Sequence, residues 1–105
     1  MNTDGRKSEA KSFLDAVRGG PLSFGRMIES IRRADEVTQA ELARRMKISR
    51  AHLCDIEKGR RPVHPERAAA FAQVLGYSVN QFVAVAVEDE LRKAGLKVRV
   101  RLDAA

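Results

Sequence analysis

The sequence predicts an all-α fold of five short helices, followed by one C-terminal β-strand. Three observations predict it. Apolar residues recur at helical spacing in five segments, a residue that favours a helix start precedes each segment, and glycines follow several of them. Beyond Gly95 the pattern changes to a two-residue alternation, which is typical of a strand. A chain of 105 residues has the length of one domain.

Capping residues predict the first two helices. Ser23 can cap a helix that ends near Asp35, and its apolar positions follow the i, i+3, i+4, i+7 pattern at Phe24, Met27, Ile28 and Ile31. Thr38 and Glu41 form a capping box in which each side chain reaches the other residue's backbone N–H. This box opens a short second helix that stops at Lys47 and Ile48.

The last three helices follow from similar signals. Ser49 caps a third helix that runs to Lys58, with Gly59 as its terminator. Pro65 starts a fourth helix that ends at Gly76. Ser78 and Gln81 open a fifth, which Gly95 ends. The run FVAVAV in this helix would also suit a strand, but the cap before it and the segment EDELRKA after it favour a helix.

The chain divides into three parts. Residues 1–22 are expected to form a flexible arm, in which the apolar spacing at 13–17 fits a short helix. Residues 23–95 form the helical domain, and residues 96–105 form a C-terminal dimerisation strand. Helix 5 is expected to expose apolar residues to the same interface. The predicted dimer interface comprises Val85, Val87, Leu96, Val98, Val100 and Leu102.

The predicted strand needs a partner because a single strand cannot satisfy its own backbone groups. Two copies that pair antiparallel across a two-fold axis would supply one. Pairing with the N-terminal arm of the same chain is the alternative.

Positive charge is concentrated in one segment. The chain carries 20 Lys and Arg against 14 Asp and Glu, a net charge of +6. The segment from Thr38 to Arg61 holds seven of the bases and three of the acids, a net charge of +4. Such a local positive field favours a polyanionic partner, without distinguishing DNA, RNA and membrane surfaces.

Composition and spacing argue against several other classes of protein. Cys54 is the single cysteine, so no intramolecular disulfide forms, and a reducing, cytoplasmic location is expected. Neither His52 nor His64 has a zinc-ligand spacing, and no metal or other cofactor is expected. No apolar run is long enough for a bilayer, and the N-terminus lacks the apolar core of a signal peptide. No catalytic residues are assigned because no nucleophile–base pair or phosphate-binding loop is present.

The segment TQAELARRMKISRAHLCDIEKGRRP resembles the helix-turn-helix of phage-repressor-like (Xre/Cro) proteins, and the resemblance extends from about Phe24 to Val83. Two short helices joined by a tight turn are the arrangement that reads the major groove of DNA. The resemblance implies a five-helix bundle, and a transcriptional regulator that represses by binding double-stranded operator DNA as a homodimer. Its location would be the cytoplasm, on the nucleoid.

The resemblance also implies roles for individual residues, transferred position by position. Base contacts would come from Arg50 and Ala51 at the start of helix 3, and from Asp55 one turn further along. Contacts to the DNA backbone would come from Thr38, Gln39, Ser49, His52, Lys58, Arg60 and Arg61. Arg32 and Glu57 occupy positions that form an ion pair in this family. The turn after helix 2 departs from the pattern, because Lys47 stands where the family usually has a glycine with positive φ.

Two other functions stay open. An antitoxin of a type II toxin–antitoxin pair would have the same kind of domain, would bind a toxin protein and would repress its own operon. An RNA-binding or protein-interaction module is the third possibility. RNA readers usually expose aromatic residues for stacking, and this chain has only one Tyr, four Phe and no Trp.

Overall fold

A computed structural model describes residues 23–103 of the chain. The predicted N-terminal arm at 1–22, with its helix at 13–17, lies outside the described residues. The described part is helical, with five α-helices and no strand. These helices are α1 (Phe24–Ala34), α2 (Gln39–Met46), α3 (Arg50–Glu57), α4 (Pro65–Leu75) and α5 (Val79–Lys93). The prediction of an all-α domain with five helices is therefore confirmed.

Short-range capping determines where four of the helices begin. The hydroxyls of Ser23, Thr38, Ser49 and Ser78 each accept a hydrogen bond from the backbone N–H three residues later. These bonds satisfy N–H groups that have no partner within the helix. The fourth helix instead begins with Pro65 after His64, whose side chain makes no capping bond. The predicted reciprocal bond from Glu41 is replaced, since its carboxylate accepts from Arg45 at 2.8 Å.

Three phenylalanines form the centre of the core. Phe24 of α1, Phe71 of α4 and Phe82 of α5 are fully buried. The Phe24 ring meets the other two edge-on, with ring centroids 5.8 and 6.1 Å apart. Each aromatic ring removes a large apolar surface from water, so this cluster holds the three helices together. The smaller α2 and α3 add Leu42 and Leu53 to the same core.

Helix α1 packs closely on the end of α3 through Gly25. A Cβ atom built on Gly25 would overlap the carbonyl oxygen of Ile56 and would lie 2.8 Å from the carbonyl oxygen of Glu57. Only a residue without a side chain permits this contact between a helix and a neighbouring backbone. Gly25 thus sets the position of α3 relative to α1.

The C-terminal strand does not form in the described chain. Residues 96–103 have no regular secondary structure, and the segment that contains Leu96, Val98, Val100 and Leu102 follows α5 without a neighbouring strand. A strand is stabilised by hydrogen bonds to a second strand, and none is described within residues 23–103. Instead, the backbone N–H of Val100 donates to Oε1 of Glu88 at 2.9 Å.

The expectation that Val85 is exposed is also wrong. Its exposed fraction is 5%, and it belongs to the core cluster, whereas Val87 is half-buried. Helix α5 is covered on more than one side, because its buried residues include Ala84, Val85 and Ala86 in succession. The continuous apolar run in this helix therefore marks a wide buried surface.

Candidate functional site

The turn between α2 and α3 sets the relative orientation of the two helices. Lys47 adopts the left-handed conformation, with φ 59° and ψ 41°. The N–H of Ile48 donates to the carbonyl of Ala43, and the N–H of Lys47 donates to the carbonyl of Arg44. These two bonds are the Schellman pattern that ends a helix, and they usually require a glycine at the left-handed position. Lys47 in place of a glycine thus leaves the turn intact, although its left-handed backbone conformation costs about 1 kcal/mol of stability.

The N-terminal end of α3 is open to solvent. Ser49, Arg50 and Ala51 are exposed, and the Ser49 hydroxyl accepts from the His52 N–H at 2.9 Å. The opposite side of the helix packs into the core through Leu53 and Ile56. The first turn of α3 therefore projects from the domain with one arginine, one methyl group and one hydroxyl available for contact.

A chain of hydrogen bonds connects this exposed turn to the interior. Nε of Arg50 donates to Oε1 of Gln39 at 3.2 Å, and Nε2 of Gln39 donates to Oε1 of Glu57 at 3.1 Å. Gln39 thus uses both ends of its amide inside the protein, while its Nε2 keeps a second hydrogen for an outside acceptor. This bridge was not predicted from the sequence, because its partners lie 11 and 18 residues from Gln39 and no local pattern connects them.

Arg32 and Glu57 form a buried ion pair beneath the site. Nε of Arg32 donates to Oε2 of Glu57 at 2.8 Å, and Nη2 donates to Oε1 at 3.2 Å. Nη1 of Arg32 also donates to the carbonyl of Val37 at 2.9 Å, in the connection between α1 and α2. Such two-pronged contacts fix direction as well as distance. One arginine therefore aligns α1, the start of α2 and the end of α3.

Exposed cations of the following loop lie beside α3. The loop after α3 contains Lys58, Arg60 and Arg61, which are all exposed. Nη1 of Arg60 lies 3.5 Å from Oδ1 of Asp55. This long contact between two solvent-exposed groups stabilises the fold little. Nη1 of Arg61 lies 3.4 Å from Nε2 of His52. This arrangement can neutralise several negative charges spread over one surface.

Arg67 is a further cation that sequence analysis did not assign to the site. Partial burial lowers the pKa of His52 below 6.5, and the positive charges of Arg61 and Arg67 lower it further, while Asp55 opposes them. His52 is therefore neutral at pH 7, and its Nε2 can accept from Arg61. The spacing of Arg67 from the motif gave no sign of this proximity, which arises from the packing of α4.

The lowered pKa of His52 predicts a pH dependence of stability. The unfolded chain takes up the proton on His52 more readily than the folded chain. The stability that neutral His52 contributes is therefore present above pH 6.5 and is lost as the pH falls through the pKa of the folded state. In His52→Gln, this part of the acid destabilisation should disappear when urea unfolding is compared at about pH 7.5 and about pH 5. Arg67→Gln should reduce the same loss. If His52→Gln lost as much stability as wild type between these two pH values, the attribution of the loss to His52 would be wrong.

The remaining polar chemistry of the described residues is limited. Within residues 23–103, no three His, Cys, Asp or Glu side chains are arranged to hold a metal ion. Cys54 is a partly buried free thiol on α3. No helix in the same range has the length and apolar character to cross a membrane. The features that stand out are the exposed turn of α3 and the cations around it.

Comparison with known proteins gives one match. A family model described as a helix-turn-helix domain matches residues 23–82, which is more than half of the chain. The matched range begins at the cap of α1 and ends in the first turn of α5, so it includes the whole α2–turn–α3 unit. Searches of curated proteins and of solved structures found no match.

Proposed function

Because the chain belongs to the helix-turn-helix domain family, we propose that it binds double-stranded DNA in a sequence-dependent manner and acts as a transcriptional repressor. In this proposal, α3 enters the major groove with its N-terminal end first, and α2 lies across the DNA backbone. The observation that carries the proposal is the exposed first turn of α3 together with the exposed cations of the loop that follows this helix.

Arg50 and Ala51 are the proposed base-reading residues. An arginine pairs with O6 and N7 of guanine through two N–H groups, and a methyl group packs on the methyl of thymine. The bond from Nε of Arg50 to Gln39 supports this role, because it holds the guanidinium by one nitrogen and leaves the two terminal nitrogens to pair with a base. An arginine oriented in advance loses less conformational entropy when it binds.

Asp55 is proposed to accept a hydrogen bond from N4 of cytosine, one turn further along α3. Its contact with Arg60 in the free protein is long and exposed, so DNA can displace it at little cost. Arg60 would then be released to bind a phosphate. The same contact therefore links one base-reading residue to one backbone-binding residue.

The proposed contacts to phosphate lie on both sides of α3. The hydroxyls of Thr38 and Ser49 accept from their own helices, so each still has a hydrogen to donate outward. Gln39 has its second Nε2 hydrogen, and the helix N-termini add partial positive charge. The other proposed contacts are His52, Lys58, Arg60 and Arg61. Such contacts position the protein on DNA without reading its sequence.

The proposed regulator acts as a homodimer. One exposed helical turn reads only a few base pairs, and a two-fold pair of domains doubles the site that is recognised. Two copies of α3 would then meet successive major grooves about 34 Å apart on one face of the DNA. The operator is expected to have matching two-fold symmetry.

Arg60→Ala tests the proposed contacts between the DNA backbone and the exposed cations after α3. The variant should bind all duplex sequences more weakly by a similar factor, and the slope of log affinity against log salt concentration should decrease by about 1. Fluorescence anisotropy with a labelled duplex at several salt concentrations measures both quantities. Arg33→Ala is a matched control, because Arg33 is an exposed arginine on α1 that pairs with Glu29. Equal salt slopes for Arg60→Ala and wild type would contradict the assignment.

The same assay tests the class of nucleic acid. Wild type should bind duplex DNA in preference to single-stranded RNA of the same length at equal salt. Stronger binding to the RNA would contradict the proposed function.

A further inference from the structure

Residues 96–102, here named the C-terminal arm, have the same chemistry when they are read in either direction. The arm has the sequence LKVRVRL, which is symmetric about Arg99. Val98 and Val100 flank this centre, Lys97 and Arg101 come next, and Leu96 and Leu102 stand at the ends. Such a segment can match a second copy of itself that runs in the opposite direction.

The arm exposes its apolar residues in the described chain. The exposed fractions are 53% for Leu96, 50% for Val98 and 42% for Leu102. These are the exposed large hydrophobic residues within residues 23–103, and the half-buried Val100 completes their two-residue alternation. Single exposed apolar residues are common on proteins, but a row of them at strand spacing is typical of a surface that another chain covers.

The backbone N–H of Val100 is directed towards its own domain, because it donates to Oε1 of Glu88 on α5. The N–H of Leu96 donates to the carbonyl of Leu91 as part of the turn that ends α5. In an extended strand, N–H groups of successive residues point to opposite edges. An arm that is extended around Val100 therefore directs the N–H groups of Arg99 and Arg101 away from α5, towards another strand.

We propose that the C-terminal arm pairs with the arm of a second copy of this chain as an antiparallel two-stranded ribbon, with the two-fold axis at Arg99. The inference rests on the homodimer of the proposed function and specifies its interface. In this register, Leu96 pairs with Leu102 of the partner subunit and Val98 pairs with Val100 of the partner subunit. All apolar side chains then share one face, which packs against the α5 helices.

The same register places all cations on the opposite face. Lys97 lies across from Arg101 of the partner subunit, and Arg99 lies across from Arg99 of the partner subunit. Like charges directly opposite each other weaken a strand pair, and dissolved salt screens the repulsion. Dimerisation should therefore become stronger with increasing salt, whereas binding to DNA becomes weaker. This opposite sign distinguishes pairing of two cationic arms from binding of the arm to an acidic partner, which salt would weaken.

Disulfide trapping tests the register directly. In a Cys54→Ala background, Arg99→Cys should form an intersubunit disulfide under mild oxidation, because paired Cα atoms lie about 5.5 Å apart at the two-fold axis. Lys97→Cys is the matched control. Its partner cysteine would be four residues away along the ribbon, about 14 Å, which is too far for a disulfide. Non-reducing gel electrophoresis reads the result, and circular dichroism verifies that both variants are folded.

Efficient trapping of Arg99→Cys and not of Lys97→Cys supports the proposal. Equal trapping of both variants, preferential trapping of Val98→Cys, or no trapping at all would overturn it. Sedimentation equilibrium of the unmodified chain provides the second measurement. The dimer dissociation constant should fall about threefold to tenfold when salt is raised from low to high concentration, and a rise would overturn the proposal. Both experiments omit DNA, so their failure leaves the proposal of DNA binding standing.

Discussion

Gly25→Ala is expected to destabilise the protein by about 3 kcal/mol or more, the upper range for overpacking a well-packed contact. The added methyl group would overlap the carbonyl oxygen of Ile56 and would lie 2.8 Å from that of Glu57. Both are backbone atoms, so no side-chain rotation relieves the contact, and α1 must move away from α3. The same substitution in an ordinary helix stabilises by about 0.5–1 kcal/mol, so even the sign of the effect is informative.

Urea unfolding of wild type and Gly25→Ala, followed by circular dichroism, measures this effect. Ser30→Ala is the matched control, because Ser30 is an exposed residue of the same helix and its replacement adds no contact. The control should be as stable as wild type or slightly more stable. A Gly25→Ala variant with wild-type stability would show that the close packing of α1 on α3 is wrong.

Glu57→Gln should destabilise the fold by about 3–5 kcal/mol, because it leaves the charge of Arg32 buried without a counter-charge. Both side chains of the pair are nine-tenths buried or more. The substitution keeps the shape of the side chain, so the loss reports on charge and hydrogen bonding and not on a cavity. It also removes one acceptor from the network that holds Gln39, and through Gln39 the guanidinium of Arg50.

A double variant separates the charge effect from general damage. Arg32→Met combined with Glu57→Leu replaces the buried pair by apolar residues of similar size, and such replacements are often neutral or stabilising. The double variant should therefore lose less free energy of unfolding than the sum of the losses in Arg32→Met and Glu57→Leu. Additive losses would mean that the two residues act independently and that the buried ion pair does not hold the helices together.

Local chemistry made the five helices predictable. Each capping bond joins residues only three positions apart, and Gly59 and Gly76 have positive φ after α3 and α4. Signals that span only a few residues can be recognised in any short stretch of the sequence. The left-handed conformation of Glu36, which has φ 58° in the connection between α1 and α2, was not predicted, because a non-glycine residue gives no such signal.

Features that depend on residues far apart in the sequence were harder to predict. Gln39 was expected to face outward, and the structure places its amide between Arg50 and Glu57. The exposure of Val85 was predicted incorrectly because helical periodicity gives the direction of one face and not the width of the buried surface. The predicted C-terminal strand does not form within residues 23–103, where no second strand is present to pair with it. The resemblance supplied the pairing of Arg32 with Glu57, which no local pattern could have revealed.

In the proposed complex with DNA, Arg50 reads a base from the exposed end of α3. Selection of bound sequences from a random pool of duplex DNA, carried out with wild type, Arg50→Ala and Arg60→Ala, tests this role. Wild type should enrich a two-fold symmetric site. Arg50→Ala should lose the preference at one base pair in each half-site, with a loss of about 1–3 kcal/mol on the wild-type sequence, whereas Arg60→Ala should keep the full preference. Identical sites for wild type and Arg50→Ala, or no enriched sequence for wild type, would contradict the claim.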